Sequence, residues 1–375
     1  MYCKVEPKDY HEVNKSNIVQ QTGYWARVKH AQGIRSLTFQ YKVSKDIIKP
    51  SLSNDNSFTN DDLVVLLQYF DNKHCMAYVP YGPKDEPEDE NHGLFLEMLS
   101  EALLPYLPED CVGIRFDLPW ESQWAKDSDY FDSEGNWEGP PELHSQEMRV
   151  NFKTEHWNLV KSRTDVLPSG TVFLDLEKDE DSLLSAMKSK TRYNIRLSQR
   201  KGVRVKAYGS EMLDTWFRLY KETALRNGIR VHDDSYFRSV LTAKTKDLKS
   251  SAHTKLLMAD YKGEYLAAMF LVLSKERGTY LFGASSGRKR NLMPTYALQW
   301  QALIEARNAG CKEYDMFGAA PNANPAHPMH GLYRFKKGFG GKLFHRMGCW
   351  DYVADADGYR ICKAAEINNQ AYHLS

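Results

Sequence analysis

The chain has 375 residues, 42% apolar and 26% charged, with a formal net charge of +1. That length exceeds what one hydrophobic core usually serves, so two domains are expected. No stretch approaches the ~18 uninterrupted apolar residues of a membrane span, and the small net charge excludes a whole-molecule attraction to nucleic acid.

The segment Met1-Tyr2-Cys3-Lys4-Val5-Glu6-Pro7 carries charges and a proline where a signal peptide has its apolar core, so the protein is expected to stay in the cytoplasm. Six cysteines (Cys3, Cys75, Cys111, Cys311, Cys349 and Cys362) form no CxxC pair and no Cys/His set at zinc spacing. They read as reduced thiols, and no metal centre is expected.

In chain order, 63–70 and 76–79 read as paired strands, 93–104 as a helix and 112–118 as a strand. Between them, 84–92 is acidic and broken by proline, hence a surface loop, and 119–150 reads as an irregular insertion or lid punctuated by Gly135, Gly139, Pro140 and Pro141. Asp179 can cap a helix that bends near 189–191 and ends before Gly202. Met212, Trp216, Leu219, Tyr220 and Thr223 recur at helical spacing, with Gly228 as the stop. A meander follows (255–261, a Lys262-Gly263 turn, 265–273, 279–284), then a helix over 292–308 closed by Gly310 and a short strand over 313–317. Two helices, a meander, a helix and a strand are the order of a GNAT-type acyltransferase domain. Tyr-Val-Pro-Tyr-Gly-Pro at 78–83 occupies the place of Tyr-Leu-Phe-Gly-Ala-Ser at 280–285, and Ile-Arg-Phe-Asp at 114–117 that of Tyr-Asp-Met-Phe at 314–317. The fold class expected is therefore α/β (α+β), a duplicated pair of GNAT-like domains.

Two stretches are basic without one acid: 188–204, with Lys188, Lys190, Arg192, Arg196, Arg200, Lys201 and Arg204, and 330–346, with five Lys or Arg residues. Taken alone, either stretch reads as well as ordinary solvated surface, a helix face and a basic loop, as it does as a contact; together they favour a polyphosphate or tRNA contact. P-loop, HExxH and strand-associated GxGxxG motifs are absent, so nothing points to ATP hydrolysis or zinc. Where CoA-binding GNAT members carry a glycine-rich pyrophosphate turn, this chain reads Ser285-Ser286-Gly287-Arg288-Lys289-Arg290-Asn291-Leu292. One glycine cannot present the same row of N–H groups, so acetyl-CoA is not the expected donor. The strongest local signal is His330-Gly331-Leu332-Tyr333-Arg334-Phe335-Lys336-Lys337-Gly338-Phe339-Gly340-Gly341, where glycines permit close backbone approach and cations suit phosphate or an oxyanion. The ordinary alternative is a basic surface turn before a strand.

Those residues resemble the Fem family of non-ribosomal peptidyltransferases, which build the peptidoglycan cross-bridge. The resemblance rests on Gln20-Gln21-Thr22-Gly23-Tyr24-Trp25-Ala26-Arg27-Val28-Lys29, on 188–196 with Lys201-Gly202-Val203, on 220–227 and on 331–341. No sustained heptad pattern is present, so the chain resembles the compact members that lack a coiled-coil arm. The resemblance implies a first GNAT-like domain at 1–168 completed by 342–375 and a second at 169–341. It also implies transfer of an amino acid from aminoacyl-tRNA to the stem-peptide side-chain amine of UDP-MurNAc-pentapeptide or its lipid-linked form, lipid II. The ester is already activated, so no ATP, metal or CoA is called for, and a monomer is expected. A lipid-linked acceptor would bring the protein into peripheral contact with the inner face of the membrane, although no amphipathic anchor is evident.

By position in the motifs, the resemblance assigns Lys336 to oxyanion stabilisation, with Phe335 lining the same site, and Asp117, at a strand end, to holding or deprotonating the amine. Lys29 and Arg226 resemble diphosphate contacts, Tyr236 and Tyr280 would line the groove, and Lys190, Arg192 and Arg196 would meet tRNA. Each has a plainer alternative: an exposed or phosphate-binding lysine, an Asp capping a turn, a surface ion pair, a packed tyrosine. The segment 119–168 is longer than compact members need and follows Asp117, which leaves open another acceptor (a protein N-terminus, a lipid or a small amine); a tRNA-binding module without chemistry is a separate alternative, against which Asp117 together with Lys336 speaks.

Overall fold

The computed structural model describes residues 2–49, 57–228 and 231–369. Among them thirteen strands form one mixed sheet: β1 (Cys3–Pro7), β2 (Ser36–Ser44), β3 (Phe58–Tyr69), β4 (Cys75–Val79), β5 (Cys111–Glu121), β6 (Leu159–Lys161), β7 (Gly170–Asp175), β8 (Arg204–Tyr208), β9 (Ala252–Tyr261), β10 (Glu264–Ser274), β11 (Arg277–Ser285), β12 (Glu313–Asp315) and β13 (Lys342–Val353). Their order is β1-β2-β3-β4-β5-β13-β7-β12-β11-β10-β9-β8, with β6 paired to β13.

The expected duplication is present. In the first half β3 and β4 pair antiparallel, the helix His92–Leu103 crosses over, and β5 returns parallel to β4. In the second half β10 and β11 pair antiparallel, the helix Pro294–Asn308 crosses over, and β12 returns parallel to β11. Both crossover helices exist because they bury apolar faces on the sheet: Phe95, Leu96, Leu99 and Leu103 in the first, Ala297, Leu298, Ala302, Leu303 and Ala306 in the second. Strand β13 joins the halves. Its residues from Lys342 to His345 pair with β7, and those from Arg346 to Val353 pair with β5.

Local signals held where turn chemistry dictates backbone angles. Lys262 and Gly263 both have positive φ (53° and 83°), as a two-residue hairpin turn needs. Gly228, at φ 65°, ends the helix Leu213–Asn227. Asp179 caps Glu180–Ala186 by accepting the Ser182 N–H, and after a break at Met187 and Lys188 the chain resumes as Ser189–Arg200. Two expectations fail. Strand β5 runs on to Glu121, so Asp117 lies inside a strand rather than at its end. The supposed irregular insertion contains a helix, Leu143–Asn151. The basic motif at 330–337 forms a helix, His330–Lys337, and not the surface turn that was its ordinary alternative.

Candidate active site

Parallel pairing ends early in both halves. In the first half β4 and β5 stay in register to Val79↔Phe116, and the chain then turns away, with Tyr81 at φ 46°. In the second, β11 and β12 share three pairs, Arg277↔Glu313 to Thr279↔Asp315, before diverging around Phe317 at φ 56°. Each V-shaped split exposes backbone groups that neighbouring strands would otherwise cover.

Asp117 stands at the first split. Its backbone carbonyl accepts the Gly82 N–H (3.1 Å), and its Oδ2 accepts the Tyr78 hydroxyl (2.9 Å) and the Leu167 N–H (2.8 Å). Oδ1 is buried with no hydrogen-bond partner. Burial pushes the carboxyl up to about 7, helped by the Asp165 charge and opposed by hydrogen bonds from Leu167, Tyr78 and the Cys349 thiol.

Lys336 closes the second split. The helix His330–Lys337 lowers its ammonium onto the Phe317 and Gly318 carbonyls (2.9 and 2.6 Å), 5.1 Å from the centre of the Tyr280 ring. Gly283 makes room for that ring, since a Cβ there would sit 1.7 Å from the Tyr280 hydroxyl. The lysine is 4% exposed. Burial brings its pKa down to about 7, against a weaker pull from Asp315. Two ionisable groups of opposite type, one at each split, are thus moved toward neutrality, a hallmark of sites that handle protons.

The splits are tied together through the segments that leave them. The Pro168 carbonyl accepts the Tyr81 hydroxyl (2.6 Å), and Pro168 packs so closely on Gly318 that a Cβ there would lie 3.1 Å from its Cγ. Arg346 of β13, 5% exposed, pairs with Asp315 (3.2 Å) and stacks on Tyr81 (4.5 Å). Asp315 also accepts the Thr171 hydroxyl and the Phe317 N–H.

Residues 4–249 and 243–366 match the FemAB family. The chain belongs to that family. This FemAB chain is 25% identical over 331 residues to a lipid II:glycine glycyltransferase of Staphylococcus saprophyticus, covering 73% of the chain and 76% of that relative. To one of the same name from Staphylococcus epidermidis it is 23% identical over 270 residues, covering 56% and 65%; the chain therefore aligns with just under two thirds of that relative's length. The crystal structure of FemX superposes with a TM-score of 0.68 at 17% identity over 92% of this chain and 94% of that one, which shows a shared fold.

The FemAB chain divides the remaining predicted residues between two faces. A bulge in β11 pairs Phe270 with Phe282 and Leu271 with Tyr280, so Tyr280 and Phe282 point to opposite sides. Tyr280 faces Lys336. Tyr236, on the helix Asp234–Thr242 rather than in a strand, packs on Phe282 (5.7 Å). Lys29 lies 4.9 Å from the Tyr236 ring and 5.0 Å from that of Trp25, and burial lowers its pKa to about 8. Tyr236 and Tyr280, both assigned to the groove, are therefore associated with opposite faces of the sheet, separated by the bulge. Arg226 donates to the Ser285 carbonyl (2.9 Å) and hydroxyl (3.1 Å) at the end of β11. Phe335 does not stack beside Lys336: its ring meets Tyr296 (5.1 Å) and Phe339 (5.3 Å), because successive helical residues point about 100° apart. Lys190 and Arg196 are exposed on the helix Ser189–Arg200, whereas Arg192 turns back to the Ser185 and Met187 carbonyls.

Sequence reading missed Arg346, Asp315, Tyr81 and Thr171. Arg346 was counted in an acid-free basic run, and charge counting cannot see burial. A usable signal was the aromatic-rich stretch around it in β13, which reads as a core strand carrying a lone arginine. Arg346→Met is expected to strand the Asp315 charge and cost about 3–5 kcal/mol, measurable as a lowered denaturation midpoint; an unchanged midpoint would show that the pair is structurally idle.

Proposed function

We propose that this protein is an aminoacyltransferase that moves an amino acid from aminoacyl-tRNA to the stem-peptide side-chain amine of a peptidoglycan precursor, in cell-wall cross-bridge synthesis. The observation that carries the reading is the pair of splits, with Asp117 and Lys336 each brought to a pKa of about 7. The amine attacks the aminoacyl ester carbonyl, and the unpartnered Oδ1 of Asp117 is the acceptor for its proton. Two of the three Lys336 N–H groups go to the Phe317 and Gly318 carbonyls, leaving one for the tetrahedral oxyanion. Collapse expels the tRNA 3′-terminal ribose oxygen.

Supporting the donor, the Lys188 N–H bonds the Gly338 carbonyl (2.9 Å), so the basic helix Ser189–Arg200 abuts the helix that carries Lys336. Lys190 and Arg196 then contact tRNA phosphates, with Arg192 orienting the helix start. Supporting the acceptor, the relatives above are named lipid II:glycine glycyltransferases. Lys29 and Arg226 bind its diphosphate, with Tyr236 beside Lys29 on one face of the sheet, while Tyr280 lies beside Lys336 on the other and Phe335 packs the Lys336 helix on Tyr296. The ester is already activated, so ATP, CoA and metal have no role in the proposed chemistry. In the turn before the helix Pro294–Asn308 the Gly287 N–H is taken by the Glu222 carboxylate, an acid where a CoA diphosphate would lie. No helix among the described residues is long and apolar enough to cross a membrane; the proposed place of action is cytoplasmic, as a monomer at the inner face of the membrane where a lipid-linked acceptor resides.

An acceptor panel tests this. With a mixture of charged tRNAs, label should reach lipid II or UDP-MurNAc-pentapeptide and not peptide N-termini, phospholipids or small amines. Label on one of the latter alone would replace the acceptor. Lys29→Ala and Arg226→Ala should each raise KM for the precursor about tenfold with kcat nearly unchanged; a fall in kcat alone would remove them from diphosphate binding.

A further inference from the structure

Away from the two splits, where the chain leaves β4 and enters the helix His92–Leu103, Glu86, Asp89 and His92 bring one ligand atom each to within 4.8 Å of one another. We infer that these three residues form a site for one divalent transition-metal ion of the zinc type, for which the Lys126 ammonium is the resident competitor. The zinc spacing sought in the sequence was a Cys/His pattern; this set is two carboxylates and an imidazole six residues apart at most.

The imidazole carries the argument. His92 is 0% exposed, yet neither ring nitrogen makes a hydrogen bond of good geometry, an arrangement that buried polar groups rarely tolerate without a ligand. Nε2 faces Asp89 Oδ1 at 3.7 Å. Two ligand atoms about 2.0–2.1 Å from one zinc ion stand roughly 3.3 Å apart in a tetrahedron, so little closure is required. The Trp120 ring stacks on the imidazole at 4.9 Å and fixes its plane. One imidazole and two carboxylates suit zinc or a neighbouring first-row ion more than calcium.

Lys126 supplies the second half of the case. Its Nζ lies 3.0 Å from Glu86 Oε1 and 3.2 Å from Asp89 Oδ1, at the mouth of the set, with a side chain 38% exposed. A cation thus sits between the two carboxylates, and its free stem allows it to swing into solvent when an ion with a firmer hold arrives. Lys126 closes the turn Gln123–Ala125 directly after β5, so metal binding would release that segment from the 84–92 loop.

The test is a zinc titration by calorimetry on the full chain after chelator treatment, with cobalt absorption as a second readout. One ion per chain with micromolar or tighter affinity is expected. Glu86→Gln and Asp89→Asn, both on partly exposed side chains and so safe for folding, should weaken it at least about tenfold, and Lys126→Ala should tighten it about fivefold. His92→Gln should abolish the cobalt spectrum. Absence of stoichiometric binding, or equal affinity in the wild type, Glu86→Gln and Lys126→Ala, would overturn the assignment and leave the cluster as an ion-pair network.

Discussion

Replacing Lys336 with Met is expected to reduce the rate of transfer by about 10²–10³, the loss seen when one oxyanion donor is removed, while affinity for charged tRNA changes less than about twofold. Methionine matches the length of the stem and fills the pocket beneath the helix His330–Lys337, so packing survives. What disappears is the charge and the donor. The Phe317 and Gly318 carbonyls lose their shared partner, a cost of about 1–3 kcal/mol per group, but a buried ammonium with a pKa lowered to about 7 is itself an unfavourable occupant, and its removal offsets part of that. Single-turnover transfer and filter binding on the same preparation separate the two effects. Turnover close to wild type would remove Lys336 from the mechanism.

Asp117→Asn is expected to lower kcat by about 10²–10⁴ and, at the same time, to stabilise the fold at pH 8. The sign follows from linkage. The carboxyl has a folded pKa of about 7 against an ordinary 3.8, so the folded state holds its proton longer than the unfolded chain. The associated stability is complete below about pH 4 and is lost as pH rises to and through 7. At pH 8 the ionised, buried carboxylate opposes folding, and asparagine, which still offers an oxygen to Tyr78 and Leu167, removes that penalty. A gain of roughly 1–3 kcal/mol at pH 8 that vanishes near pH 4 is expected in denaturant titrations. Equal stability of the two proteins at both pH values would contradict the burial argument, whatever happened to activity. Because Asp117 must be ionised and Lys336 protonated, kcat/KM should be bell-shaped with both limbs near pH 7.

Much of this architecture was legible because turn and cap residues leave little choice. The Lys262-Gly263 hairpin, the Asp179 cap and the Gly228 stop each determine a backbone conformation locally, and the structure has them where the sequence placed them. The duplication was legible for a related reason: a strand, a crossover helix and a parallel strand recur with similar spacing. Elements defined by long-range pairing were harder. Strand β13 pairs with β5 and β7, more than 160 residues earlier in the chain, and no local pattern reports such a partner. The same limit hid the site's organisation. Lys336 and Asp117 were singled out by motif and strand context, but the burial that moves their pKa values, the Arg346–Asp315 pair between the segments, and the β11 bulge that separates Tyr280 from Tyr236 arise only when distant segments meet. The helix His330–Lys337 was not read from the sequence either, because glycines at 331, 338, 340 and 341 interrupt any helical pattern there.

The segment after Asp117 also took on a definite role. Trp137 stacks on His345 of β13 (4.0 Å) and its carbonyl is held by Asn322 (2.8 Å), while Leu167 and Pro168, further along, contact Asp117 and Arg346. The segment therefore packs directly against the residues around Asp117 and Arg346.

The most direct test of the account is transfer of label from a mixture of radiolabelled aminoacyl-tRNAs to lipid II, with and without prior ribonuclease treatment. The account predicts label on lipid II that disappears after ribonuclease treatment and is lost in Lys336→Met. Ribonuclease-resistant label, or no label from wild-type protein that binds charged tRNA, would contradict it.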